Sequence, residues 1–444
     1  MAILWFLAGF LPFVSWGRVA PIASFWPQWG AATIFLIIGT AQFLKNRNRL
    51  EFAGRSSFDG AVILLFLSIS AQSLTGHVYS KTSAFIAVGA LALGWIFTKV
   101  STLAVVRDPT RSLDVWCMGV SAALLFQAFV VGLGVFGKEF VHGFLFDAPP
   151  QLRALGAFGQ SNHLGVFSVL ALACLHHLFA KRRITPWMLW GGVAISALVC
   201  ALSYSRAALL VWGALAVIAA IPLWKSRRRG DDEKKVWHAH VYVCVFFLTV
   251  QMLNFMVPLM PLISGMQDGP SLLTDSRAMS SNARLEQIRD SFQLIEKYPY
   301  FGVGYEGFAG ARLCDLSGSL MEPQTTVPHN LLLQFFVELG LIGALIDLWV
   351  IFAVFKVVRL ALLDSENFSS DRLLAVQWIV GLFVYSMFEF PLLYSYFLLP
   401  FLMMAGLAGY PIVSVGVGRP LKIALTSALV FGFIGLFLIA CDYP

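Results

Sequence analysis

The chain has 444 residues, of which 58% are hydrophobic and only 12% are charged. A water-soluble protein of this length cannot bury so much apolar surface, so the composition excludes that class and predicts a polytopic membrane protein. The net charge of +7 does not indicate a nucleic-acid partner, because the basic residues fall mostly in short loops between apolar runs.

The apolar runs predict an all-α fold with about twelve to thirteen transmembrane helices, since each span needs ~20 residues and some runs are shorter. The runs lie near residues 2–17, 29–44, 58–74, 83–100, 114–136, 160–180, 186–202, 207–224, 238–258, 329–355, 373–388, 397–414 and 421–440. The first run lacks a basic leader and a small-residue cleavage site, so we interpret it as a helix rather than a signal peptide.

This pattern divides the chain into three parts. Residues 1–258 form N-terminal transmembrane helices, 259–328 form a large loop, and 329–444 form C-terminal transmembrane helices. Placing the N-terminus in the cytoplasm puts most of the 31 lysines and arginines on the cytoplasmic side. Four polar segments then face outward. They are Gly137 to Gly159, Ser203 to Arg206, Met260 to Pro328 and Glu389 to Tyr396.

The six cysteines form no CxxC pair and no zinc spacing. Four of them lie in apolar runs and are expected to be small buried side chains. Cys314 and Cys441 would both face outward, which leaves a disulfide between them open. The loop aspartates are scattered without the spacing of a metal site, so neither a metal nor a cofactor is expected.

Within the large loop, Ser280 to Lys297 predicts an amphipathic helix. Leu285, Ile288, Phe292 and Ile295 recur on one face, which we expect to be buried. Arg284 lies beside this stripe and needs an anionic partner there. That partner is either a phosphate or a loop carboxylate, with Glu286, Asp290 and Glu306 as the alternatives.

Three glycines, Gly302, Gly304 and Gly307, follow this helix and predict a tight turn. Their spacing matches GxGxxG. However, no predicted strand precedes them, so we do not expect a dinucleotide site.

His329 stands between Pro328 and Asn330, where the loop ends and the predicted helix 329–355 begins. An imidazole titrates near neutral pH and suits proton transfer, so His329 is the candidate general base. The structural alternative is an interfacial histidine that satisfies backbone groups at a helix end. Asn330 and Gln334 lie near it on the same helix.

The other outward segments carry further polar residues. Arg206 follows Tyr204 between two apolar runs, where a charge marks a site unless it reaches the headgroups. Glu389 lies in a mostly apolar run and must be paired or hydrated, so it could form a salt bridge with an arginine or orient His329. The remaining candidates are Gln160, Asn162 and His163, with Asn162 as an alternative helix cap, and Tyr394 and Tyr396, with membrane anchoring as the alternative.

Taken together these motifs resemble a known family. Arg284, the segment Tyr298 to Gly304, and Pro328-His329-Asn330 followed by Glu338-Leu339-Gly340 are similar to the O-antigen ligase and O-antigen polymerase superfamily. Gly159 to Leu164 and Glu389 to Phe397 are similar to motifs of its protein O-oligosaccharyltransferase branch. That branch usually has proline where this chain has Ser161, so a lipopolysaccharide ligase remains the alternative.

The resemblance implies a GT-C-type membrane glycosyltransferase of the bacterial inner membrane, with a periplasmic loop capping the site. Its donor would be an undecaprenyl-diphosphate-linked glycan, and its acceptor a periplasmic protein such as a pilin, or lipid A-core in a ligase. A polymerase is a third alternative, and a lipid-linked glycan transporter is the rival from another class.

The resemblance also implies residue roles. His329 would be catalytic together with Arg206 and Arg284, which would bind the diphosphate without a metal. The expected substrate-binding residues are Gln160, Asn162, His163, Asn330, Tyr204, Glu389, Tyr394 and Tyr396, with Glu389 also able to orient His329.

Overall fold

The computed structural model describes residues 1–14, 25–45, 50–52, 56–136, 154–227, 270–316, 327–360, 369–408, 413–415 and 427. Almost all of these residues are helical. The helices are α1 (Ala2–Phe10), α2 (Phe25–Lys45), α3 (Asp59–Thr75), α4 (Lys81–Arg107), α5 (Val115–Phe136), α6 (Ser161–Ala180), α7 (Pro186–Ser203), α8 (Arg206–Arg227), α9 (Pro270–Lys297), α10 (Phe308–Asp315), α11 (Leu331–Leu339), α12 (Leu341–Val358), α13 (Ser370–Ser386) and α14 (Ser395–Leu407).

Several of these helices have the length and apolarity of membrane spans, which confirms the predicted all-α polytopic membrane fold. Four stretches of the described chain are long enough to cross a bilayer: Thr110–Leu133, Ser161–Ala180, Pro186–Ser203 and Leu341–Val358. Shorter apolar helices match other predicted runs. The runs 238–258 and 421–440 lie outside the described residues apart from residue 427, so the total of about twelve to thirteen spans stays a prediction.

Helix α6 lies at the centre of the helices that pack around it. Its side chains are buried along almost its whole length, and it packs against α5, α7, α8 and α13. At its beginning the approach is close, because a side chain at Gly165 would overlap Ser203 and Ser205 in the turn between α7 and α8. This packing places the first turn of α6 beside the Ser203 to Arg206 turn.

The end of α6 contributes to an ion network at the opposite end of the bundle. Asp114 accepts from His177 Nε2 at 3.1 Å and from Arg183 Nε at 2.8 Å. Lys181 Nζ lies 2.9 Å from Asp371 Oδ1 at the start of α13. These contacts tie α5, α6 and α13 together at the end that the charge pattern predicts to be cytoplasmic.

A short antiparallel pair of strands was not predicted. Leu50–Phe52 (β1) pairs with Val413–Val415 (β2). Each strand has only three residues, too few for alternation to be recognised in a sequence.

The predicted helix 329–355 is wrong as a single element. The structure divides it into α11 and α12 at Gly340. The φ of 61° and ψ of −138° at this residue form a backbone conformation that glycine adopts far more readily than other residues. Helix α11 folds back on α12. The two helices approach so closely that a Cβ at Gly343 would overlap the carbonyl of Phe335. The hydropathy of the sequence is continuous across Gly340, so it gives no sign of this corner.

The loop with the three glycines docks on this corner. Val303 N donates to Val337 O at 2.8 Å, Gly304 N donates to Glu338 O at 3.1 Å, and Leu341 N donates to Tyr300 O at 3.2 Å. Gln72 Nε2 also donates to Glu338 O at 3.0 Å. The loop therefore satisfies carbonyls that the end of α11 leaves without helical partners. It lies between α9 and α10, a context unlike the strand and helix of a dinucleotide fingerprint.

Helix α9 buries a different face from the predicted one. Leu285 is 65% exposed and Phe292 is 59% exposed. The buried positions are Gln287, Asp290, Ser291 and Leu294. Leu294 packs with Phe308 and Val337, and Asp290 accepts from Arg312 Nε at 2.6 Å. The prediction was wrong for Leu285 and Phe292, because Leu294 and Asp290 make the contacts with α10 and α11, and only Ile295 of the predicted stripe packs beside them.

The corner at Gly340 generates a stability prediction. Gly340→Ala should lower the stability by about 1–3 kcal/mol, because the new Cβ meets the carbonyl of Tyr300 at a strained positive φ. Thermal unfolding of the purified protein would measure the loss. Gly213→Ala is the matched control, since nothing lies within 4 Å of a Cβ added there. Equal unfolding temperatures for the two variants would contradict the prediction.

Candidate active site

A buried carboxylate lies directly after α13. Glu389 is 3% exposed, and its N–H donates to Tyr385 O at 3.1 Å, which turns the chain back over the end of the helix. An ionised carboxylate at such a position is stable only if it is paired and hydrogen-bonded.

Three side chains from separate parts of the chain supply that pairing. Arg284 Nη2 of α9 lies 2.7 Å from Glu389 Oε1. Asn162 Nδ2 of α6 lies 2.8 Å from the same oxygen. His329 Nδ1, just before α11, lies 3.0 Å from Oε2. The structure thus brings together four predicted site residues, which we call the Glu389 cluster.

The cluster keeps Glu389 ionised. Burial alone would raise the pKa of this carboxyl group. The hydrogen bond and the electrostatic attraction of His329, followed by the positive charge of Arg284, outweigh burial, so the pKa of Glu389 lies below its usual range.

His329 is held in a defined orientation. Because ionised Glu389 only accepts hydrogen bonds, the contact assigns a proton to Nδ1 of His329 and leaves Nε2 as the acceptor of a neutral ring. The side chain is 21% exposed, and its ring centroid lies 4.9 Å from that of Phe390. Its φ of 50° is unusual for a residue other than glycine and indicates local strain.

The carboxylate that pairs with Arg284 lies outside the large loop. It belongs to Glu389, while Asp290 pairs with Arg312. The side chain of Arg284 remains 34% exposed. A guanidinium has five N–H donors, and the contact with Glu389 Oε1 uses one nitrogen of the fork.

His163, Tyr394 and Tyr396 lie beneath the cluster. His163 Nδ1 and Tyr396 Oη are 3.0 Å apart, and both residues are buried. The ring of Tyr394 lies 4.8 Å from that of His163 and stacks on Tyr396 at 5.4 Å. These residues pack under the turn that carries Glu389, and in this structure His163 and Tyr396 do not reach the surface of the site.

Three further predicted residues lie at helix ends. Asn330 caps α11 by accepting from Leu333 N at 3.1 Å, and it donates to Met387 O at 3.1 Å. Gln160 is the N-cap residue of α6, but its side chain does not cap the helix. Tyr204 ends α7 with a φ of 50°. Substrate binding by these residues stays a prediction.

Arg206 is the first residue of α8 and is exposed. The preceding turn packs on α6 near Gly165, three residues after Asn162. The described contacts of Glu389 do not include Arg206, so its convergence with Arg284 stays a prediction.

Asn162 was predicted as a site residue with helix capping as the alternative, and its amide donates to Glu389. One residue of the site was missed. Phe390 was not selected although its ring lies against His329. Its position beside Glu389 in the Glu389 to Tyr396 segment was the only available signal.

The described residues contain no group of three or more potential His, Cys, Asp or Glu metal ligands. Among the cysteines of this part of the chain, Cys117, Cys174 and Cys200 are buried and Cys314 is exposed. Cys244 and Cys441 lie outside the described residues, and so does the disulfide left open for Cys441.

The family model described as "O-Antigen ligase" matches residues 191–347. Residues 191–347 are therefore similar to the O-antigen ligase family. This finding confirms the superfamily resemblance drawn from the motifs. The matched region contains Arg206, Arg284 and His329, whereas Asn162 and Glu389 lie on either side of it and complete the cluster.

A curated relative also matches this chain. It is a general O-oligosaccharyltransferase of Acinetobacter baylyi (strain ATCC 33305 / BD413 / ADP1), and it is 26% identical over 259 residues. The match covers 57% of this chain and 43% of that protein, so it spans less than half of the relative's length.

The charge of Glu389 generates a pH prediction. Because its folded pKa lies below the unfolded value of ~4.3, the ionised carboxylate contributes stability that is present above pH ~4.3 and is lost as the pH falls through the folded pKa. Glu389→Gln should therefore lower stability by about 1–3 kcal/mol at pH 7. The difference from the wild type should shrink in acid.

Thermal unfolding from pH 7 down to pH 3 would measure this difference. Glu296→Gln, at an exposed acid of α9, is the control. A stability difference for Glu389→Gln that stays constant over this range would contradict the assignment of an ionised Glu389.

Proposed function

We propose that this protein is an O-oligosaccharyltransferase of the bacterial inner membrane. It transfers a glycan en bloc from undecaprenyl diphosphate to Ser or Thr hydroxyls of periplasmic proteins such as pilins. The observation that carries the proposal is the contact of His329 with buried Glu389, beside Arg284, at the end of a membrane helix. The similarity to the O-antigen ligase family and the oligosaccharyltransferase relative support it.

His329 performs the proton transfer in this proposal. Its Nε2 takes the proton of the acceptor hydroxyl while the hydroxyl oxygen bonds to the anomeric carbon of the glycan. The bond from that carbon to the diphosphate oxygen breaks, and the diphosphate leaves with the electron pair. Glu389 stabilises the imidazolium that forms, because it already accepts the hydrogen bond from Nδ1.

The leaving diphosphate needs positive charge. In the resting cluster, the negative charge of Glu389 offsets that of Arg284, so Arg284 alone provides little net attraction. Protonation of His329 adds a positive charge as the diphosphate departs. Arg206 provides a second guanidinium from the neighbouring turn, and this pair would serve without a metal ion.

The charges at the two ends of the bundle support a periplasmic location. Lys181 and Arg183 lie at the end opposite Glu389, together with Asp114 and Asp371. Basic residues favour the cytoplasmic side, which supports a periplasmic Glu389 cluster. A transporter is disfavoured because this cluster lies at a helix end rather than at mid-depth.

Lipid A-core is the second candidate acceptor. Two observations favour it, the family description "O-Antigen ligase" and Ser161 at a position where the oligosaccharyltransferase branch usually has proline. The donor chemistry is the same for both acceptors.

A competition assay tests the function. The purified full chain receives an undecaprenyl-diphosphate glycan together with a pilin-like protein and lipid A-core, and glycan transfer to each is quantified. We expect transfer to the protein, insensitivity to a chelator, and a loss of about 10²–10⁴-fold in His329→Ala, because the general base is removed. Transfer to lipid A-core alone would establish the second candidate. Transfer to neither acceptor, or full activity of His329→Ala, would refute the proposal.

Arg284→Lys tests the role of the guanidinium. A lysine cannot hold Glu389 and a phosphate oxygen through one planar fork, so transfer should fall by about 10²-fold. Arg289→Lys is the matched control, because Arg289 is an exposed arginine of the same helix. Equal donor turnover in the two variants would remove Arg284 from the mechanism.

A further inference from the structure

Helix α9 presents an apolar stripe away from the protein. Leu285, Ile288 and Phe292 are 65%, 36% and 59% exposed. At ~100° per residue these positions lie roughly opposite buried Gln287, Asp290 and Leu294. An amphipathic helix of a water-soluble protein buries its apolar face and exposes its polar face, whereas α9 does the opposite here. The exposed stripe therefore needs an apolar partner.

Contacts near both ends of the described part of this helix fix its position against the membrane bundle. Arg284 binds Glu389, which lies three residues after the end of α13. Beyond Lys297, the carbonyl of Tyr300 accepts from Leu341 N, the first residue of α12. Residues 284–300 therefore extend across the end of the bundle, at the level where α13 ends and α12 begins.

The surface of α12 identifies the partner. This span is long and apolar, and only 33% of it is buried inside the protein. Its exposed side chains include Leu341, Leu345, Leu348 and Phe352, which at this length and apolarity face lipid. Tyr300 and Phe301, each 71% exposed, lie directly at its beginning. The chain that follows α9 thus places two exposed aromatic residues at the beginning of this exposed apolar helix.

The flanks of the stripe suit a membrane interface. Arg289, Gln293 and Glu296 are exposed on one flank of it. Interfacial helices bury their apolar side chains at the boundary of headgroups and acyl chains, and they place basic side chains among the phosphates. Aromatic residues such as Tyr300 and Phe301 favour the same depth.

We propose that α9 is an interfacial helix whose residues Leu285, Ile288, Phe292, Tyr300 and Phe301 insert into the bilayer leaflet at the Glu389 end. Insertion of Leu285 holds the adjacent Arg284 at the depth of the lipid phosphates. This inference does not depend on glycan transfer, because it concerns the contact of α9 with phospholipid.

Photo-crosslinking tests the proposal. The full chain carries Phe292→p-benzoylphenylalanine, or the same change at Leu285, in nanodiscs of phosphatidylethanolamine and phosphatidylglycerol. After irradiation, mass spectrometry quantifies covalent phospholipid adducts. The control is the same change at Gln293, an exposed polar neighbour. We expect about tenfold more adduct at positions 285 and 292 than at 293, reflecting the preference of apolar side chains for an apolar phase.

Two results would overturn the proposal. One is phospholipid adduct at positions 285 and 292 no greater than at 293. The other is the replacement of lipid adducts by protein adducts when a pilin-like acceptor is added, which would assign the stripe to the acceptor. Because the assay measures contact with lipid, failure of the glycan-transfer assay would not affect its outcome.

Discussion

The buried charge of Glu389 is the constraint on which the candidate site depends. A carboxylate that is 3% exposed just after the end of α13 has to be paired with hydrogen-bond donors. It finds them on α6, on α9 and just before α11, through Asn162, Arg284 and His329. One of these partners, His329, can take up a proton, whereas Arg284 is always charged. The carboxylate of Glu389 can therefore stabilise a proton that arrives on the imidazole.

The corner at Gly340 gives this cluster its shape. In a continuous helix from His329 to Val358, His329 would lie at the far end of one long axis, away from its present position beside Glu389. The break folds α11 against α12, and the glycine loop then holds the corner through Val337 and Glu338. Since Asn330 also binds the carbonyl of Met387, both ends of α11 are fixed. The orientation of one imidazole therefore rests on backbone contacts at the far end of a nine-residue helix.

The sequence predicted the class of fold and all four members of the cluster, because each depends on local signals. Apolar length indicates membrane helices, and His329, Arg284, Asn162 and Glu389 stand at polar positions within motifs of known order. The corner at Gly340 depends on one residue's φ, which hydropathy does not report. The exposed face of α9 depends on what surrounds the helix, and periodicity identifies an apolar face without saying whether protein or lipid covers it. The pairing of Arg284 with Glu389 joins residues 105 positions apart, and no local pattern indicates it.

Arg284 connects the Glu389 cluster with the exposed apolar stripe of α9. Its guanidinium binds Glu389, and its neighbour Leu285 begins the exposed apolar stripe. Movement of α9 away from the bundle would break the ion pair and leave Glu389 with Asn162 and His329 as its other described partners, at a cost set by the burial of the carboxylate. The same carboxylate that orients the histidine thus resists displacement of α9. An interfacial position of this helix would make the geometry of the cluster depend on the membrane surface, which is where a lipid-linked donor presents its diphosphate.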